Sequence, residues 1–477
     1  MILLALILLP ALGALGAYAH RAAAYRTVWL VTTATLHLGL AATCWISRPA
    51  SAFNDWVGLD ALGLVMLSLV SVLFFVLATY TVGYLRTENP RGGRAFVSCL
   101  LAFLASASLV AVSQHAGLLW VGMESTTLAV APLIFHKHDR RSLEAVWKYL
   151  VISSVGIALA LLGTFFLATA QSSGSGTGRP LVLNDLMTNA HRLDADWLKA
   201  AFIFLLVGFG TKMGLAPMHT WKPDTYGEAP SPVAALMASA LTACAFLGVA
   251  RVTQVAFAAG IGGFARPLLV GFGLLSLGVA AAFVVSQRDV KRLLAYSSVE
   301  HMGLVALGLG LGGVASYGTV LHVVTTGLAN ALLFLAVGNV VVALGTSTHS
   351  EVRGLLTSLP ISGGLLLLGL FAVTGSPPFG PFLSTFTILS AATEGHPWIT
   401  AIAVLLLAIV FAGMARMVLE MVYGEVGPSR RKPRESLWLV GGPLGLAAAV
   451  LALGLYLPGA LRQALGEAAV LLGGRTP

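Results

Sequence analysis

GFGTKMGLAPMHTWKPDTYGEAPSP, residues 208–232, ends an apolar run that begins near Ala201, and it places a lysine and then four prolines where a membrane-crossing helix would continue. Lys212 facing lipid would cost roughly 2.5–3.5 kcal/mol on insertion scales, so it is expected to face protein or a water-filled cavity. Pro217 removes a helical donor, and Pro223, Pro230 and Pro232 make an unbroken helix untenable, so the helix is predicted to break near Gly214 to Pro217. Irregular backbone at membrane depth survives only where protein or water satisfies its polar groups. A broken helix with a buried amine, followed by His219, Asp224 and Glu228, therefore reads as part of an ion path. The plainer alternative is a lysine that snorkels to an interface.

The rest of the chain has the same character. Of 477 residues 57% are hydrophobic and 10% charged, and mean hydropathy is +0.88. A water-exposed surface does not have this composition, so the chain reads as an all-α integral membrane protein. Apolar runs long enough to cross a bilayer recur throughout, and about fourteen helices are predicted, near 1–19, 27–46, 58–84, 95–112, 115–135, 147–170, 200–215, 232–257, 267–286, 293–311, 315–345, 359–389, 397–423 and 437–460. The first 19 residues lack a basic leader region and read as a first transmembrane helix. The segment from Gln171 to Lys199 reads as a flexible stretch plus a short amphipathic helix on the outer surface, or as a linker. The tail after Ala460 is too short for another span.

The formal charge of +9 does not mark nucleic acid, because the basic residues sit in short loops. Loops after odd-numbered helices carry Arg21, Arg26, Arg86, Arg91, Arg94, Lys137, Arg140, Arg141, Lys222, Arg288, Lys291, Arg292, Arg353, Arg430, Arg431, Lys432 and Arg434, 17 in all. Even-numbered loops carry six: Arg48, Arg179, Arg192, Lys199, Arg251 and Arg266. The positive-inside rule then puts the odd loops in the cytoplasm and both termini outside, in the inner membrane of a prokaryote. Cys44, Cys99 and Cys244 lie in apolar runs without metal-ligand spacing, so no metal site or cofactor is expected in this chain.

A second set of breakers, Gly375 to Pro381 with Pro377 and Pro378, falls in the twelfth predicted helix, five after the first set. An odd offset means opposite directions across the membrane, as in inverted repeats with broken helices. Helices 4–8 and 9–13 are the candidate repeats. The chain divides into an N-terminal three-helix segment (1–94), a first repeat (95–257), a second inverted repeat (258–425) and a C-terminal helix and tail (426–477).

The ordered run Pro217, His219, Trp221, Pro223, Asp224, Glu228, Ala229, Pro230, Ser231 and Pro232 after Lys212 resembles the signature of antiporter-like membrane subunits of complex I, cation/proton antiporter complexes and membrane-bound hydrogenases. LLWVGMESTTLAVAPLIF (118–135), SLEAVWKYLVISSVGIALALLGT (142–164) and QRDVKRLLAYSSVEHMGLVALGLG (287–310) are similar to one branch of that family, the F-type component of hydrogenase-4 and related formate hydrogenlyase complexes. The resemblance, over roughly residues 55–425, implies a non-redox subunit that couples electron transfer elsewhere to proton translocation. It implies other membrane subunits as partners and, through them, a peripheral redox arm with iron–sulfur and possibly nickel sites.

Position by position, the resemblance implies that Glu124 pairs with Lys212. Movement of that carboxylate would change how strongly the amine holds its proton. His219 is the implied next link, or a core histidine satisfying a freed carbonyl. Lys148 with Glu144 gives electrostatic support at i,i+4 spacing, and His301, beside Glu300, and His322 are candidates for the second half of the path. Here the sequence departs from the family pattern: Asn330 replaces a lysine and Thr385 a glutamate or lysine. Neutral residues do not store a proton near neutral pH. Arg416 and Glu420 are a candidate substitute, or a pair anchoring their helix near the cytoplasmic surface. The competing readings are a multisubunit cation/proton antiporter subunit and a structural spacer with a degenerate second half-channel.

Overall fold

The computed structural model describes residues 1–87, 93–175, 180–424 and 435–476. The predicted basic loops at Arg91 and at Arg430, Arg431, Lys432 and Arg434, together with Arg179, lie outside those residues. Secondary structure among the described residues is helical, in chain order α1 (Ile2–Ala19), α2 (Ala23–Ile46), α3 (Ala61–Thr87), α4 (Gly93–Val112), α5 (Ala116–Ile134), α6 (Arg140–Ser175), α7 (Leu183–Thr188), α8 (Ala195–Met213), α9 (Trp221–Glu228) and α10 (Ser231–Ala258). It continues with α11 (Gly262–Val284), α12 (Val290–Leu311), α13 (Val314–Leu344), α14 (Leu355–Ser358), α15 (Pro360–Val373), α16 (Gly380–Gly395), α17 (Pro397–Tyr423), α18 (Leu437–Leu455) and α19 (Gly459–Leu471).

Twelve of these helices are long and apolar enough to cross a membrane. In lipid every backbone polar group must be bonded internally, which is why uninterrupted apolar runs of this length become helices. The two remaining predicted segments are the interrupted ones, α8–α9 and α15–α16. In the first, Gly214 ends α8 in the left-handed conformation at φ 82°, the common glycine stop for a helix. In the second, Thr374 ends α15 and the helix restarts at Gly380. Each break contains a cis bond, Ala216–Pro217 and Pro377–Pro378.

Burial is graded from rim to centre. The membrane-length windows of α10 and α12 are fully buried, whereas those of α1, α2 and α17 are about one-third buried or less. Close approach at the centre depends on missing side chains. A Cβ on Gly208 of α8 would lie 2.6 Å from the Gly156 carbonyl of α6, and one on Gly273 of α11 would lie 2.8 Å from the Gly303 carbonyl of α12.

Three expectations change. Helix six begins at Arg140 rather than near 147, which places Glu144 about one turn and Lys148 about two turns inside it. The segment after it is not a free surface helix: Leu183, Leu186 and Ala190 are buried, and Ala116 N–H donates to the Leu181 carbonyl. Lys222 and Lys291, counted above as loop charges, are both buried, as is Arg251. The Lys291 ammonium donates to the carbonyls of Gly227 and Ala229 and so closes the end of α9. Arg251 forms a two-pronged pair with Asp60 at the opposite end of the molecule.

Candidate functional site

Lys212 occupies the last turn of α8 with no solvent exposure. Its ammonium donates to Thr127 Oγ1 at 2.7 Å and Tyr149 OH at 3.2 Å. The Thr127 hydroxyl in turn donates to Glu124 Oε2 at 3.2 Å. The predicted carboxylate and amine are thus brought together, but with a hydroxyl between them rather than as a direct ion pair. Thr127 and Tyr149 carry no charge, and nothing in their apolar runs marks them.

The break itself is held by bonds to its freed backbone groups. Ala216 N–H donates to Ser276 Oγ on α11, and the Trp221 indole donates back across the gap to the Thr211 carbonyl, both at 2.9 Å. His219 sits in this turn, buried, with no partner for Nδ1 among the described residues and its ring 6.2 Å from that of Tyr296. In the first turn of α9, Lys222 points back into the core, where its ammonium donates to Ser298 Oγ of α12 at 3.0 Å. α10 carries a π-turn over Met237–Leu241, a local widening that is frequent at functional sites. Sequence periodicity did not reveal it.

The second-half candidates are contiguous. The rings of His301 and His322 are 5.2 Å apart, edge to face. Ser297 Oγ lies 3.4 Å from His301 Nε2, and the Glu300 carboxylate 3.8 Å from its Nδ1. His322 Nδ1 shares a 2.9 Å bond with Ser384 Oγ, in the first turn of α16 beyond the second break. Asn330 is buried, its Oδ1 without a partner among the described residues, and Thr385 lies beside Gly375 of that break.

At one end of the molecule Asp224 binds both Lys148, at 2.7 Å, and Arg292, at 2.9 Å, and Glu144 also pairs with Lys148. These four and Glu228 line a polar cavity of about 380 Å³. Lys148 is therefore a partner of both Asp224 and Glu144. Arg416 and Glu420 do pair, at 3.3 Å, but on the surface with Arg416 76% exposed, outside the buried chain of groups. At the opposite end a cavity of about 1150 Å³, bordered by Asp60, Tyr317, Thr387 and Glu467, reaches Leu321 and Leu383, the chain neighbours of His322 and Ser384.

A broken-helix pair with buried titratable groups strung between two cavities has matches among known proteins. The model of the "NADH:quinone oxidoreductase/Mrp antiporter, TM" family matches residues 113–411. The chain belongs to that family. A hydrogenase-4 component F homolog of Methylacidiphilum infernorum is 33% identical over 423 residues, covering 87% of this chain and 88% of the relative. NADH-quinone oxidoreductase subunit N of Desulforudis audaxviator is 31% identical over 376 residues, covering 77% and 73%. In the solved membrane-bound sulfane sulfur reductase, an archaeal respiratory membrane complex, one chain superposes with a TM-score of 0.87 at 21% identity, over 99% of this chain and 97% of that one. That last likeness speaks for the fold. The protein is an antiporter-like, multi-pass membrane subunit of the kind found in complex I and hydrogenase-4 assemblies.

Proposed function

We propose that the protein translocates protons within a hydrogenase-4 or complex I-like respiratory complex, with the redox chemistry in a peripheral arm on other subunits. The observation that carries this reading is Lys212, an amine with no exposure, held at a helix break and joined to Glu124 through one hydroxyl. Ionisable groups are costly inside a membrane protein and mark ion pathways. The route runs from the cavity at Asp224 and Lys148 to Lys212 and His219, then through His301 and His322 to Ser384 and the cavity at Asp60. Glu144, Lys148, Asp224 and Glu228 form its cytoplasmic mouth, and both termini face outward. The two broken helices belong to repeats of opposite orientation, which is the basis for expecting two half-channels.

Removing the amine tests this. In the assembled complex reconstituted in vesicles, Lys212→Ala is expected to abolish proton uptake attributable to this chain, measured per redox turnover. An assembled Lys212→Ala complex that pumps at the wild-type ratio overturns the reading. It would leave the alternative of a structural spacer, which rests on neutral Asn330 and Thr385 in the second half.

A further inference from the structure

Two lysines of the α9 neighbourhood are buried, and they do different work. Lys291 bonds two main-chain carbonyls that the end of α9 leaves open, so its position follows from backbone satisfaction. Lys222 closes no helix end. Its side chain has no exposure, and its one hydrogen bond among the described residues is to the Ser298 hydroxyl. Its ammonium also lies 5.9 Å from the Tyr226 ring centroid, and no carboxylate pairs with it among the described residues.

The local backbone is built around this side chain. A Cβ on Gly214 would fall 2.2 Å from Lys222 Cε and 2.7 Å from Nζ, so the glycine that ends α8 also provides the space through which the amine passes. Burying an ammonium without a carboxylate partner is costly, and the neutral amine is the form that burial favours. A group whose surroundings weigh against its charged form is disposed to hand a proton on, which a station on a proton route requires. Its acceptor leads onward. Ser298 and His301 are three residues apart on α12 and share a face of the helix, and His301 stands edge to face against His322.

We infer that Lys222 is a second proton-carrying station, between the Lys212 side of the break and the imidazole pair. This inference rests on the proton-translocation reading. In the forward step the Lys222 ammonium gives a proton to Ser298 Oγ, which releases its own hydroxyl hydrogen toward His301. The amine is left neutral, the imidazole gains the charge, and no bond between heavy atoms changes.

The test uses the intact complex in vesicles, with proton uptake normalised to redox turnover, for Lys222→Met, Lys222→Gln and Lys222→His beside Lys212→Ala. The Met and Gln variants are expected to assemble and lose translocation, while the His variant retains it with a pH profile displaced toward acid. A lysine serving only packing would not separate His from Gln in this way. Wild-type ratios in both neutral variants overturn the inference, as does equal failure of all three, or a loss of assembly in both neutral variants. If Lys212→Ala fails to pump in the same series while the Lys222 variants pump normally, only the Lys222 station falls. If Lys212→Ala also pumps normally, the translocation reading falls with it.

Discussion

Lys212 reaches Glu124 only through a hydroxyl: its ammonium donates to Thr127 Oγ1 at 2.7 Å, and the same hydroxyl donates to Glu124 Oε2 at 3.2 Å. A carboxylate acting through such a bridge depends on the bridge as much as on its own charge. Thr127→Val keeps the side chain's shape and removes the bridge, leaving a buried ammonium short of an acceptor, which costs about 1–3 kcal/mol. Proton uptake per turnover is expected to fall in Thr127→Val and to be retained in Thr127→Ser. Equal pumping by the two variants would mean that Glu124 acts on Lys212 without this hydroxyl.

The approach of α6 to α8 positions both Lys212 and Tyr149. Gly208→Val would push a branched side chain into the Gly156 carbonyl and into Ala160, whose Cβ already lies 2.7 Å from the added carbon. Overpacking of this kind costs about 1–3 kcal/mol. The measured outcome is a lower unfolding temperature in detergent and a loss of pumping, because the two arms of the lysine's site move apart. Gly278→Val, likewise inside a helix, α11, serves as the control for residue type: its added Cβ has nothing within 4 Å. An unfolding temperature for Gly208→Val above that of the control would contradict the packing account.

The long helices and both interruptions were legible in the sequence because length, apolarity and Gly/Pro chemistry act locally. The burial of Lys222 was not legible. WKPDTYGE carries three charged side chains and a proline, which read as a loop, and only packing against α12 and α6 turns it into a buried helix. Lys291 misled in the same way, since a charge near a helix start is ordinarily solvated. The hydroxyls of Thr127, Ser298 and Ser384 were invisible for the opposite reason: isolated in apolar runs, they look like packing residues until a partner appears opposite. Glu124, His301 and His322 were reached through the family resemblance, which points to their positions, and an ionisable residue in an apolar run agrees with that reading.

Where the candidate path ends, at the cavity bordered by Asp60, Arg251 of α10 is buried and held by Asp60 through both terminal guanidinium nitrogens, the longer bond at 2.7 Å. Asp60→Asn removes the counter-charge and leaves the guanidinium buried. Breaking a buried pair costs about 3–5 kcal/mol, and partial exposure of Asp60 puts the expectation at the lower end. Thermal unfolding in detergent is expected to fall accordingly, and the double variant Asp60→Asn/Arg251→Met to recover more than half of the loss. A double variant less stable than the single one would show that Arg251 is held by packing rather than by its partner.

Orientation is open to a direct chemical test because the protein's own thiols give little background. Cys44 and Cys244 are buried and Cys99 half-buried. Arg140 begins α6 at the same end as Arg292 and Asp224, whereas Arg462 lies at the end where Arg48 pairs with Glu467. Excess Lys and Arg stay on the cytoplasmic side during insertion. Burial of Lys222, Lys291 and Arg251 takes two charges from the side expected inside and one from the other, leaving 15 against five from the counts of 17 and six, so the asymmetry keeps its sign. A membrane-impermeant maleimide applied to intact cells is therefore expected to label Arg462→Cys and not Arg140→Cys, and to label both once the membrane is opened. Efficient labelling of Arg140→Cys from outside would invert the molecule in the membrane, making the cavity at Asp224 the outer mouth and reversing the direction in which Lys212 hands on its proton.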